Sequence, residues 1–173
     1  MKRYWISILV VLLLFSFCGC KSKGTDFVEP VTFYYCNDIT SNEISGNDFY
    51  NIFVGETREG SGYINNLQTL LLLYLRGPAD AALVNPFPDN LQILSLHEEN
   101  LHVSLIVSDE FASLTGLDLT LACTCLSMTV MELTGCNSVL IAAESAPLDE
   151  KDSITMTRDM LVFFDNTYVV SED

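Results

Sequence analysis

Two hydrophobic periods follow one another through residues 62–107, GYINNLQTLLLLYLRGPADAALVNPFPDNLQILSLHEENLHVSLIV. Leucines crowd residues 63–76 at helical spacing, and Gly77-Pro78 supplies the pair that commonly ends a helix. Asn85-Pro86-Phe87-Pro88 predicts an extended connection, because a proline pushes the residue before it out of the helical region. The period then becomes two. Leu101, Val103, Leu105 and Val107 alternate with His102 and Ser104, so this segment reads as a strand buried on one face. It follows a strand at residues 91–96, with Glu98-Glu99-Asn100 as the turn and Asn100 best suited to a positive φ.

The same reading extends to both sides. Residues 31–36 (VTFYYC) are aromatic and β-branched and predict a strand. A polar loop at 37–48 precedes a second strand at 49–54, continuing toward Arg58. Gly60-Ser61-Gly62 breaks the chain before the first helix and lacks the Lys-Ser/Thr pair of a phosphate loop. Beyond the hairpin, Ser108, Asp109 and Glu110 suit a turn or helix start. Leu119, Ala122, Leu126, Val130 and Leu133 recur at helical spacing, which places a long helix at 117–133 ended by Gly135. Residues 139–143 form an apolar strand, 149–152 a solvated loop, and 154–170 a tail of β-rich composition. The predicted order ββαββαβ is that of an α+β fold, two helices on one face of a mixed or antiparallel sheet.

The amino terminus changes the picture. Lys2 and Arg3 precede a thirteen-residue apolar run from Trp5 to Phe17, followed by Cys18-Gly19-Cys20. A basic end, a short apolar core and small residues before a cysteine resemble a bacterial lipoprotein signal, with Phe17 where the lipobox pattern has Leu. An uncleaved anchor is the competing reading, but a membrane span needs roughly 20 residues. The expectation is a signal at 1–19, lipid on Cys20, a tether at 20–30 and a protein held at the extracytoplasmic face of the cell membrane. Removing the signal leaves six basic residues against 23 acidic ones, a net charge of −17. Such a surface argues against nucleic acid as a partner, because phosphates are neutralised by clustered Lys and Arg.

Cys36, Cys123, Cys125 and Cys136 remain in the mature chain. Cys123 and Cys125 stand two apart on a helix and point to different faces, so they do not chelate one metal together. Buried free thiols are the favoured reading. A disulfide stays open, with Cys125–Cys136 the least strained pairing. His97 and His102 flank the turn beside Glu98 and Glu99, ligand types that zinc accepts, although an exposed polar turn explains them as well. No Gly-x-Ser-x-Gly elbow, EF-hand loop or assigned carboxylate pair is present. No catalytic residue, metal or cofactor is therefore expected. Arg58, Arg76, His97 and His102 are the candidates for interaction, the arginines because the chain has so few.

Several segments together resemble the GerMN domain of germination and sporulation lipoproteins. They are Leu75-Arg76-Gly77-Pro78, Asn85-Pro86-Phe87-Pro88, residues 91–96, Val107-Ser108-Asp109-Glu110-Phe111 and Val139-Leu140-Ile141, in the family's order. The pattern's Asp before the hydrophobic-Ser pair is Ile106 here, and where the pattern ends its late strand near a Gly this chain has Ser145. The resemblance covers residues 31–145, with 146–173 as an extension of the same domain. It implies a fold similar to ring-building modules of sporulation secretion complexes. The expected function is a membrane-anchored binding or scaffold module with envelope or sporulation proteins as partners. A small envelope enzyme or solute-binding lipoprotein is the alternative. For partner capture, an edge strand at 31–36 or 154–162 is expected to pair with another chain.

Overall fold

The computed structural model describes residues 30–38, 52–59, 66–145 and 153–161. The α+β class predicted from periodicity holds, but the strands divide between two sheets. The first is β2-β1-β3, made of β1 (Pro30–Asn37), β2 (Phe53–Glu59) and the two-residue β3 (Leu83–Val84), all antiparallel. The second is β4-β5-β6-β7, made of β4 (Ile93–Glu99), β5 (His102–Val107), β6 (Ser138–Ala143) and β7 (Ile154–Thr157). Its β5–β6 pair is parallel, and its outer pairs are antiparallel. The parallel crossover contains a 3-10 turn at Asp109–Ser113 and the long helix, as parallel neighbours require a long connection.

That long helix, α2 (Gly116–Thr134), is the centre of the molecule. It packs on β1 of the first sheet and on β6 and β7 of the second. Every residue from Ala122 to Ser127 is buried, so no face of this segment meets solvent. The helix is also long and apolar enough to cross a membrane, but half of it is enclosed by the rest of the domain. Its end follows the sequence: Gly135 takes φ 72° and its N–H reaches Met131 O at 2.9 Å. Arg158, in the short helix α3 (Arg158–Leu161), donates from Nη2 to the carbonyls of Cys136 (2.9 Å) and Met131 (3.5 Å). A cation thus meets the carbonyl end of α2.

The first helix, α1 (Leu67–Tyr74), starts at Asn66, whose side chain accepts from Thr69 N at 3.0 Å. The expected start at residue 63 lies outside the described residues. At the other end Gly77 turns the chain with φ 94°. Leu70, Leu71 and Tyr74 are buried and join the core of Phe33, Tyr35, Val103, Leu105, Leu126 and Ile141. α1 meets the second sheet through β4 and α2 meets it through β6 and β7, and the buried side chains of both helices belong to one core.

Two expectations are corrected. The hairpin turn is Asn100–Leu101, both at positive φ (50° and 63°), rather than Glu98–Asn100. Strict alternation assigned Leu101 to the strand, whereas it occupies the second turn position and is 58% exposed. The segment 31–36 is an edge only in part, for β2 flanks it along one side while β3 reaches only Cys36 and Asn37 on the other. Where β3 stops, side chains complete its open side. Tyr34 N donates to Thr129 Oγ1 (2.9 Å), and Tyr74 Oη donates to Tyr34 O (2.7 Å). Of the tail expected to be β-rich, residues 154–157 are strand and residues 158–161 helix.

Candidate functional site

Arg58 was a candidate for an external contact. Its surroundings are internal. The alternation of β2 turns Glu56 and Arg58 to the same side, and their side chains are 11% and 17% exposed. Arg58 Nε donates to Glu56 Oε2 at 2.6 Å, and Nη2 donates to Gly77 O (2.8 Å) and Tyr35 Oη (3.2 Å). Its guanidinium carbon also stands 5.3 Å and 5.6 Å from the ring centres of Phe33 and Tyr35. Glu56 Oε1 accepts from the backbone N–H groups of Ala79 and Asp80, both at 2.8 Å. One ion pair therefore ties β2 to the turn after α1, and its partners are used up within the fold. Tyr35 Oη donates in turn to Tyr74 O at 2.7 Å, and burial holds both phenols above their ordinary pKa.

The other candidates are dispersed. Arg76 is exposed just after α1. His97 Nε2 lies 3.6 Å from Glu99 Oε2, and both side chains are about 70% exposed, 71% and 69%. His102 sits opposite Glu99 in the β4–β5 register, which puts all three on the same outer face. His102 Nδ1, however, bonds Ser138 Oγ on β6 at 2.7 Å. Among the described residues no three His, Cys, Asp or Glu side chains gather to hold a metal ion. Cys20 lies outside the described residues.

Two features had no sequence signal strong enough to single them out. The first is a groove of about 270 Å³ where the Asn85-Pro86-Phe87-Pro88 connection passes the start of α2. Val84, Pro86, Leu114 and Leu121 give it apolar walls, Asp118 is the one carboxylate of its lining, and Cys36 lines it as well. Behind Cys36 lies Cys125, fully buried on α2, the sulfurs 3.7 Å apart. Contact with Cys125 holds the Cys36 thiol below its ordinary pKa, against burial, which raises it. Cys125 is shifted the opposite way by the same contact and by burial, and burial alone pushes Cys123 up to about 12. All four described cysteines are buried free thiols, and the neighbour of Cys125 is Cys36 rather than Cys136.

The second feature is the outer edge of β4. Among the described residues β4 pairs only with β5. Across the two-residue turn, Glu99 and His102 form the flanking hydrogen-bonded pair, and by alternation His97 and Ser104 form the next. The backbone groups of Leu96 and Glu98 therefore point away from β5, toward open space or a further strand. The register shifts between Ile93 and Ser95, a bulge that limits this edge to its second half. Of the two edges expected, residues 154–157 are a sheet edge, while 31–36 are paired along one side by β2 and on the other by β3 at Cys36 alone.

Neither a family model nor a curated protein matches the sequence. Among solved structures, the chain is similar to the tandem GerMN domains of the sporulation protein GerM from Bacillus subtilis. The likeness has a TM-score of 0.54 at 18% identity and covers 75% of this chain. The chain spans 44% of the length of that structure, close to one domain of a tandem pair. With its α+β order, its two sheets and its parallel crossover through α2, the described chain has a GerMN-like fold.

Proposed function

We propose that this chain is a contact module of the cell envelope, anchored by lipid at Cys20, that captures a protein partner by strand addition at β4. The observation that carries the reading is the outer edge at Leu96 and Glu98, whose backbone groups have no strand beside them among the described residues. His97, Glu98 and Glu99 are exposed along it, in a chain of net charge −15. An incoming strand would bring two carboxylates close to its own side chains, so the fitting partner is basic there. The Arg58 cluster is read as structural, because Nε and Nη2 of Arg58 and both oxygens of Glu56 are engaged within the fold. The sporulation role of the protein of like fold supports an assembly task in the spore envelope.

Crosslinking and pull-down of the full chain from growing and sporulating cells tests this reading. Glu98→Pro removes one outward N–H without touching the β4–β5 ladder and should abolish capture of the partner. Arg76→Ala should leave capture intact. Capture that survives Glu98→Pro but disappears with Arg76→Ala would sink the edge reading. Cys20→Ser should leave the signal uncut or release the protein from membranes; normal processing with unchanged membrane fractionation would sink the anchor.

A further inference from the structure

Cys36 and Cys125 come from elements 89 residues apart, yet their sulfurs lie 3.7 Å from each other. A bonded pair needs about 2.05 Å, so a cross-link must draw the two sulfurs closer than they stand. Their access to solvent differs. Cys36 ends the aromatic run of β1 and lines the groove, whereas Cys125 is enclosed behind it. We propose that Cys36 and Cys125 are a thiol–disulfide exchange pair, in which Cys36 takes a small neutral or cationic disulfide from the groove and Cys125 resolves the adduct into a cross-link between β1 and α2.

The steps balance as two exchanges. The Cys36 thiolate attacks one sulfur of the incoming disulfide, forming a mixed disulfide and expelling one thiolate. Cys125 loses its proton, attacks Cys36 Sγ and expels the second. Two cysteine thiols are oxidised, and the small disulfide is reduced to two thiols that carry away both protons. The order follows from position: the residue that lines the groove reacts first, and the enclosed one can reach only its neighbour. The lowered pKa of Cys36 favours the same order. Asp118 in the groove lining, together with the acidic surface, repels anionic disulfides. Groove size selects small reagents. This chemistry is independent of the contact role proposed above.

The reduced full chain, folded and treated with hydroxyethyl disulfide, should lose two thiols and yield one cross-linked peptide pairing Cys36 with Cys125. In a time course the mixed disulfide at Cys36 should precede the cross-link. Cys125→Ala should stop at a one-to-one adduct on Cys36. Leu121→Trp, which fills the groove, should slow the adduct to the rate of buried Cys123. Cationic cystamine should outpace glutathione disulfide. A folded chain that gives no cross-link, a cross-link through Cys123 or Cys136, first attack at Cys125, an adduct rate untouched by Leu121→Trp, or equal rates for cystamine and glutathione disulfide would each overturn the proposal. The wild-type time course decides the order of attack even where a variant fails to fold.

Discussion

Replacing Arg58 by alanine should cost the domain about 3–5 kcal/mol, the usual loss when one partner of a buried ion pair is removed. The structure explains why the loss is large. Arg58 and Glu56 are each more than four-fifths buried, and the guanidinium is the donor to Gly77 O and a cation over Phe33 and Tyr35. Without it, Glu56 keeps the N–H groups of Ala79 and Asp80 but loses its counter-charge. Domains of this size have about 5–15 kcal/mol in total, so a large share of the stability is at stake. Urea denaturation followed by far-ultraviolet circular dichroism reads the effect. With a slope of about 1–3 kcal/mol per molar, the midpoint should fall by about 1–5 M. The double variant Glu56→Gln, Arg58→Met should recover part of it, because no charge is then left buried alone. Arg76→Ala, at an exposed position, is the control and should stay within about 0.5 kcal/mol of the parent. An Arg58→Ala midpoint no lower than that of Arg76→Ala would refute the account of this cluster.

Leu101→Gly should raise the melting temperature, with a gain of about 0.5–1 kcal/mol, because Leu101 holds φ 63° with little burial to lose; a lower melting temperature would show that its side chain matters more than the backbone. Thr124→Val should be neutral or stabilise by about 1 kcal/mol, since Thr124 Oγ1 is buried with no hydrogen-bond partner; a clear loss in urea would reveal a bond to that hydroxyl. Leu71→Asp should abolish the cooperative unfolding transition by placing a charge at a fully buried site, a cost of several kcal/mol. A two-state melt within a few degrees of the parent would show that α1 does not face the core.

Local signals were strong enough in the sequence to place the elements. Gly77-Pro78 and Gly135 mark the ends of both longer helices, and the alternation of residues 101–107 marks the buried face of β5. What the sequence did not disclose was which elements are neighbours. A period of two makes a strand but does not say that 31–36 and 101–107 belong to different sheets. The helix 117–133 was legible from the spacing of Leu119, Ala122, Leu126, Val130 and Leu133, which does not say where Thr124, Ser127 and Thr129 lie. These small hydroxyl residues are in fact inside, and Thr129 serves the backbone of Tyr34. A helix between two sheets has no outward face along its middle, so its moment no longer tells inside from outside.

The candidate sites failed to show themselves for a related reason. Scarcity drew attention to Arg58, but scarcity does not distinguish an arginine kept for a partner from one kept for its own fold. Only the long-range positions of Gly77, Phe33 and Tyr35 make that distinction. Proximity in sequence likewise suggested Cys125 and Cys136, yet the left-handed cap at Gly135 ends the helix before Cys136, while the antiparallel β1–β3 pairing and the packing of α2 on β1 bring Cys36 alongside. The edge of β4 is subtler still, because it consists of backbone groups that every residue possesses. Its sequence trace is Glu98, a carboxylate opposite the fully buried Val103 and therefore on the core-facing side at the end of an outer strand. A charge in that position discourages indiscriminate pairing of exposed edges. The capture proposed for this edge therefore requires a partner strand whose basic side chains would meet Glu98 and Glu99 and offset that charge.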